Sequence, residues 1–149
     1  MAFERNKKKQ ITDCILLMLT GIVMIMSLSC KKTIEQAKKN AIVNAVTNGR
    51  WYVEQYKQDT TDVTADFFGY EFQFYENGTV DGIKGTSTSS GTWVTDISNY
   101  TITAAFLPAA GDTLNRLSYT WKITDSALDY VSATTTTSAG SNTLHLRKK

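Results

Sequence analysis

The chain has 149 residues, with 16 Lys and Arg, 14 Asp and Glu, two cysteines and a formal net charge of +2 at pH 7. This near balance of charge does not indicate a nucleic-acid-binding surface, which requires a basic patch. A folded region of about 100 residues can bury a core without disulfides, so we expect one small domain.

The first 29 residues have the pattern of a targeting segment. Four basic residues lie near its start, and residues 15–26, ILLMLTGIVMIM, carry no charge. A helix needs about 20 apolar residues to cross a bilayer, so this segment has the length of a signal-peptide core. It ends with Ser27, Leu28 and Ser29, the small-x-small pattern that a signal peptidase accepts. Cleavage there would make Cys30 the N-terminus.

This segment resembles a bacterial lipoprotein signal that ends in a lipobox. The resemblance implies that Cys30 is alkylated with diacylglycerol and acylated, which holds the protein firmly on a membrane. We therefore expect a lipid-anchored protein of the cell envelope, at the outer membrane. The alternatives are an uncleaved anchor, or secretion with Cys30 as a free thiol. The expected parts are a lipoprotein signal peptide at 1–29, a lipidated tether with a short helix at 30–48, and one domain at 49–149.

The segment after Cys30 predicts a short helix. Thr33 and Gln36 have the spacing of a capping box, and Asn48-Gly49 supplies a stop. Apolar residues between them recur at spacings of three and four. The alanine-rich face favours a small cap packed on the domain, and the alternative is a basic helix on the membrane surface.

From Trp51 onward the hydrophobic period changes to two, as in Tyr70, Phe72 and Phe74. No helical period interrupts the series, which favours an antiparallel meander, and closure into a barrel removes exposed edges. The sequence therefore predicts an all-β fold, an antiparallel up-and-down eight-stranded barrel preceded by one short capping helix. The predicted strands are 50–57, 69–75, 79–84, 91–95, 100–106, 117–124, 127–133 and 142–148.

Two hairpins fix the register. A three-residue loop at 76–78 with a left-handed glycine opposes Phe74 to Val80, apolar to apolar. A two-residue turn at 125–126 opposes other apolar pairs, Ile123 to Leu128 and Trp121 to Tyr130.

Loop lengths give the predicted barrel two different ends. In a meander, successive connections alternate between the two ends. The short turns and the helix therefore fall at one end. The long connections, at 58–68, 85–90, 107–116 and 134–141, fall at the other.

Gly49-x-Trp51, at the start of the first strand after a short helix, is similar to the lipocalin signature. Thr124-Asp125-Ser126 stands near the sixth turn, where lipocalins carry Thr-Asp-Tyr. Arg147 is placed like the lipocalin arginine that stacks on the tryptophan. Residues 49–149 thus resemble the small lipocalin-like domains of bacterial lipoproteins. The resemblance implies a lipocalin-like barrel with Trp51 and Arg147 at its closed end, and implies a fold more than a function.

No constellation for catalysis is present in the sequence. His145 is the single histidine, no G-x-S-x-G occurs, and the acidic run from Asp59 to Asp66 lacks the glycine and glutamate of a calcium loop. We expect no enzyme activity, no metal and no cofactor.

Two hypotheses for function remain. In the first, a hollow at the long-loop end binds a small apolar or amphiphilic ligand, its mouth points away from the membrane, and Lys84 meets an anionic head group. In the second, the core is filled and a structural or adaptor lipoprotein contacts another envelope component through its loops. A cavity of about 300 Å³ or more favours the first. We expect a monomer, with ligand-binding residues Gln55, Tyr70, Lys84, Phe106, Tyr119, Trp121 and Tyr130.

Overall fold

The structure, a computed structural model, describes residues 33–107 and 112–149. The chain divides into two compact units, and the second, Lys39–Lys149, contains all of the strands. Cys30 and the predicted signal segment lie outside the described residues. Within the described residues, no helix has the length and apolar character needed to cross a membrane.

The secondary structure is one helix followed by strands. Helix α1 spans 33–47. The remaining elements are β1 Arg50–Gln58, β2 Thr61–Asp62, a 3-10 turn Thr64–Phe67, β3 Tyr70–Phe74, β4 Thr79–Lys84, β5 Ser87–Asp96, β6 Thr101–Phe106, α2 Asp112–Asn115, β7 Thr120–Ser126, β8 Tyr130–Thr137 and β9 Gly140–Lys148.

Eight of the strands form a closed antiparallel barrel. Each strand pairs with its neighbour in the order β1, β3, β4, β5, β6, β7, β8, β9, and β9 pairs with β1. Trp51 of β1 lies opposite Phe72 on one side and Lys148 on the other, so both edges of β1 are occupied. The short strand β2 pairs with the end of β1. The predicted fold class, an eight-stranded up-and-down barrel after one helix, is confirmed.

The first predicted hairpin register is also confirmed. Phe74 lies opposite Val80, and the N–H of Tyr75 donates to the carbonyl of Thr79 at 2.9 Å. Gly78 has φ 84°, the left-handed conformation that this loop requires of its last residue. Turn chemistry and apolar pairing therefore predicted this hairpin correctly.

The second predicted hairpin is wrong. Strand β7 continues through Asp125 and Ser126, and the turn is at residues 128–129, where the N–H of Ala127 donates to the carbonyl of Tyr130 at 2.9 Å. A register shift in β7 between Ile123 and Asp125 moves the turn along the chain. Ile123 consequently pairs with Ala133 instead of Leu128, and Trp121 is not opposite Tyr130.

Two of the four long connections predicted from the sequence are tight turns. Strand β5 begins at Ser87, and β8 extends to Thr137, so that two residues separate it from β9. Serine and threonine runs that look like loops are here paired strands, because these residues pair through their backbones and threonine favours strands. Long connections remain at 59–69 and 107–119.

The barrel has two ends, which we call the α1 end and the far end. Because the strands alternate in direction, the α1 end holds the start of β1 and the turns 75–78, 97–100 and 127–129. The far end holds the two long connections. Inward-facing residues of the strands form one core between the two ends: Trp51, Val53, Tyr56, Phe72, Phe74, Val80, Trp93, Phe106, Trp121, Ala133 and Leu144.

Candidate functional site

The C-terminal part of α1 is tied to the barrel by hydrogen bonds to its last carbonyls. The indole N–H of Trp51 donates to the carbonyl of Val46 at 2.8 Å, and Val46 is itself buried. The Lys148 ammonium donates to the carbonyl of Ala45 at 2.9 Å, and the Gln73 amide donates to that of Thr47 at 3.0 Å. These bonds satisfy carbonyls that a helix end leaves free, and they fix this part of the helix at the barrel end.

An apolar pocket lies beside this helix, and we call it the α1-end pocket. Its volume is ≈ 180 Å³. Exposed residues of the turn at 97–100 and of the end of β7 form its rim, so the pocket reaches the surface. Its lining is Ile42, Ala45, Val46, Trp51, Thr95, Asp96, Ile97, Tyr100, Thr101, Ile102, Ile123, Ser126, Ala127 and Val131.

A second, smaller cavity of ≈ 50 Å³ lies deeper in the barrel, and we call it the interior cavity. Almost its whole lining is apolar. Four side chains line both spaces: Val46, Ile102, Ile123 and Val131. The α1-end pocket and the interior cavity therefore adjoin, and the four side chains that they share are aliphatic.

The far end of the barrel, where the sequence predicts a mouth, is closed. Phe67 of the 3-10 turn, Leu114 of α2 and Leu117 are buried in the core cluster. Leu114 packs over Gly82 of strand β4. A Cβ added to Gly82 would lie 3.0 Å from the Cδ1 atom of Leu114. The two long connections thus act as a plug that closes this end. The sequence signal for the plug was the presence of apolar residues in connections that are otherwise polar.

Tyr56 holds this plug in place, although the sequence did not single it out. Its ring packs on Phe67, with ring centres 5.0 Å apart, and its hydroxyl donates to the carbonyl of Arg116 at 2.8 Å. Arg116 forms an ion pair with Asp66, which joins the two connections. Burial raises the pKa of the Tyr56 phenol, so the group stays neutral at physiological pH.

The position of Tyr56 corrects the prediction for Gln55. A register shift in β1 between Val53 and Gln55 interrupts the alternation, so Tyr56 follows Val53 on the inner face. Gln55 falls on the outer row and is not a lining residue of either space. A β-bulge cannot be recognised from alternation alone, which is why the prediction placed Gln55 inside.

Four of the other predicted ligand-binding residues separate into two groups. Phe106 and Trp121 are buried and line the interior cavity. Tyr70 and Lys84 are paired at the far end, where the Lys84 ammonium lies 4.7 Å from the centre of the Tyr70 ring. Lys84 makes this cation–π contact at the far end, opposite the α1-end pocket. Its ammonium is therefore not placed to meet the head group of a ligand in that pocket.

Tyr119 and Tyr130 lie outside the two spaces. Tyr119 is exposed, with its ring edge-on to Trp121 at 6.1 Å. Tyr130 lies on the outer surface, where its hydroxyl donates to Asp125 at 2.8 Å and its ring is 5.6 Å from the guanidinium carbon of Arg147. Tyr130 therefore does not form the floor of a site, because the hairpin register that placed it there is wrong.

The predicted contact between Arg147 and Trp51 is made by the neighbouring residue. Lys148 lies opposite Trp51 in the strand pairing, and its ammonium is 5.0 Å from the centre of the Trp51 ring. Arg147 points to the outer face and pairs with Glu54 at 3.1 Å. Trp51 is buried, and its cationic partner is a lysine one position later than predicted.

Asp96 is the one charged side chain among the lining residues of the α1-end pocket. Hydrogen bonds from the side chain and backbone N–H of Asn99 lower the pKa of the Asp96 carboxyl, so it is charged at neutral pH. No group of three or more potential metal-ligating side chains occurs within residues 33–107 and 112–149. The rim can therefore offer a single negative charge to a ligand.

Comparisons with known proteins show similarity in fold alone. No protein-family model matches the chain, and no curated protein sequence matches it. The structure is similar to the crystal structure of a DUF4847 family protein from Bacteroides vulgatus ATCC 8482, with a TM-score of 0.51 and 13% identity over 72% of this chain and 97% of that chain. An uncharacterized protein from Bacteroides eggerthii DSM 20697 matches with a TM-score of 0.44 and 11% identity, over 68% of this chain and 98% of that one.

Proposed function

We propose that the protein is a lipid-anchored protein of the cell envelope that binds a small apolar or amphiphilic molecule in the α1-end pocket. The observation that carries the proposal is an apolar pocket of ≈ 180 Å³ that reaches the surface and adjoins the interior cavity. A dry cavity of about 150 Å³ is large enough for benzene. The pocket therefore has room for a small ring or for the end of an alkyl chain.

The size of the pocket also limits the ligand. Small-molecule sites usually enclose about 300–1,000 Å³, so only part of a larger molecule would be enclosed here. An amphiphile fits this limit, because its apolar end can enter while its polar end stays at the rim. The charge of Asp96 favours a neutral or positively charged polar end, in place of the anionic head group expected from Lys84.

The proposed role is binding rather than catalysis. His145 is the single histidine of the chain; it pairs with Ser132, and neither residue lines the α1-end pocket. The anchor at Cys30 rests on the sequence pattern around residues 15–30. Cys30→Ala is expected to leave an unprocessed precursor or a protein released from membranes, and normal processing with unchanged membrane attachment would contradict the anchor.

A structural or adaptor lipoprotein is the second candidate. The observation that favours it is the filled barrel, with an interior cavity of ≈ 50 Å³ and a far end closed by Leu114 and Phe67. This candidate predicts that no small molecule is retained by the folded protein.

Native mass spectrometry of the full-length protein, gently extracted from membranes, distinguishes the two candidates. Binding predicts an added mass that a pocket-filling variant, Ala127→Phe, removes. Ala139→Phe, in the far-end turn at 138–139, is the matched control and should retain the added mass. If no added mass appears and a panel of alkyl alcohols, amines and carboxylates gives no complex, the binding proposal is wrong and the adaptor is favoured.

A further inference from the structure

Two exposed apolar side chains flank the mouth of the α1-end pocket. Tyr100, in the turn between β5 and β6, is 64% exposed and lines the pocket. Leu128, in the turn between β7 and β8, is 77% exposed and follows the lining residue Ala127. Tyr100 also has φ 53°, a conformation that residues other than glycine seldom adopt, so the turn holds its side chain at a cost in backbone strain.

The lipid anchor and the pocket are close along the chain. Cys30 is three residues before the start of α1, and three extended residues span at most about 10 Å. The six helical steps from Thr33 to Lys39 add about 9 Å. Ile42 and Ala45, in the following turns of the helix, line the pocket. An anchor at Cys30 thus keeps the start of the barrel unit within about 20 Å of the bilayer.

We infer that the α1 end of the barrel docks on the membrane, with Tyr100 and Leu128 in the interface and the mouth of the pocket facing the lipid. The ligand is then an amphiphile exchanged directly with the bilayer. This inference rests on the proposed anchor and pocket, and it reverses the expectation that the mouth points away from the membrane. Tyrosine is enriched at membrane interfaces because its ring is apolar and its hydroxyl is polar, and a leucine beside it adds apolar area.

The far end provides an internal comparison. It also carries exposed apolar residues, Phe68 at 87% and Leu107 at 66%. The acidic residues Asp59, Asp62 and Asp66 lie in the same connection as Phe68. Acidic residues also lie at the turns of the α1 end, among them Asp96 and Asp129, so charge does not distinguish the two ends. The far end, however, lies a barrel length farther along the strands from α1, whose start the anchor at Cys30 would hold near the bilayer. The far end is therefore the control surface and not the docking surface.

Single spin labels measure which end meets the lipid. The chain has two cysteines, Cys14 in the predicted signal segment and Cys30 at the proposed anchor, so an added cysteine would be the one free thiol of the mature protein. Ser98→Cys labels an exposed turn at the α1 end, and Thr86→Cys labels an exposed turn at the far end. The mature protein, purified after processing, is reconstituted in vesicles of phosphatidylethanolamine and phosphatidylglycerol. Its Cys30 lipidation is verified by intact mass.

Docking predicts that the label at Ser98 is relaxed by oxygen in the bilayer and shielded from a water-soluble nickel complex, while the label at Thr86 behaves in the opposite way. The double substitution Tyr100→Asn and Leu128→Ser should return the Ser98 label to water. Asparagine tolerates the left-handed backbone at position 100, so this variant retains the turn.

The outcomes separate the two proposals. A lipidated protein whose Ser98 label stays in water overturns docking while leaving ligand binding to its own mass-spectrometric test. A Ser98 label that remains in lipid after the double substitution overturns the assigned contacts of Tyr100 and Leu128. An unmodified Cys30 overturns the anchor and the docking inference together.

Discussion

Gly82→Ala tests whether α2 plugs the far end of the barrel. The added Cβ would lie 3.0 Å from Cδ1 and 3.1 Å from Cδ2 of Leu114, closer than ordinary carbon contacts. Overpacking of this kind costs about 1–3 kcal/mol. Leu114→Ala removes a fully buried side chain and should cost about 2–5 kcal/mol.

The informative measurement is the double variant. If Leu114 packs on Gly82, alanine at position 82 fills part of the space that Leu114→Ala leaves. The double variant should then be more stable than the sum of the single effects by about 1 kcal/mol or more. Urea titration of the four proteins by tryptophan fluorescence gives the free energies of unfolding. Additivity within about 0.5 kcal/mol would mean that Leu114 is not over Gly82 and that the far end is open.

Three other predictions concern single side chains. Tyr56→Phe should lower the free energy of unfolding by about 1–3 kcal/mol in urea titration, because the half-buried carbonyl of Arg116 loses its donor. Since the pKa of Tyr56 is raised, its contribution is present below the usual phenol pKa and is lost as pH rises, so the variant should lose less stability above about pH 10 than the parent. Lys148→Met should lower the free energy of unfolding by about 1–2 kcal/mol and change Trp51 fluorescence, whereas Arg147→Met should leave that fluorescence unchanged. Equal effects of the two substitutions would contradict Lys148 as the cationic partner of Trp51. Asp96→Asn should reduce the preference of the protein for decylamine over decanoate, measured as the ratio of their dissociation constants. The change in this ratio should be less than about tenfold, because the site is solvated, and no change would mean that Asp96 is not at the rim.

The sequence was sufficient for the strand meander, the barrel and the first hairpin. Alternation in Phe72 and Phe74 identifies a strand with one buried face. Pairing apolar Phe74 with apolar Val80 selects a three-residue loop at 76–78 over a two-residue turn at 77–78, and this loop gives the observed register. Barrel closure could be predicted because unpaired edges are unfavourable. These features depend on local patterns that a single sequence contains.

The position of the candidate site could not be predicted, and the cause is local irregularity. The bulge in β1 replaces Gln55 with Tyr56 on the inner face, and the one in β7 moves Tyr130 to the outer face. In β1 the bulge reverses the facing of the later residues of the strand. In β7 it shifts the pairing with β8 by one residue, so that Val131 and Ala133 face inward instead of Tyr130. Phe106 and Trp121 were predicted to face inward, and both line the interior cavity. No bulge lies between either residue and the part of its strand from which its facing was predicted.

Loop length misled the prediction of the mouth. Long connections were expected to surround an opening, yet they carry Phe67 and Leu114, whose burial closes the far end. Whether a loop stands open or folds inward depends on three-dimensional fit, which periodicity does not encode. Apolar residues in otherwise polar connections are the signal that favours a plug.

Methyl-resolved NMR of the isotopically labelled protein during titration with decanol tests the central claim most directly. Binding at the α1-end pocket predicts saturable shifts of the Ile42, Ile102 and Val131 methyl signals, with the Leu114 signals unchanged. Shifts centred on Leu114, or no saturable shift at Ile102 and Val131 at the solubility limit of decanol, would contradict the assignment of the α1-end pocket as the binding site.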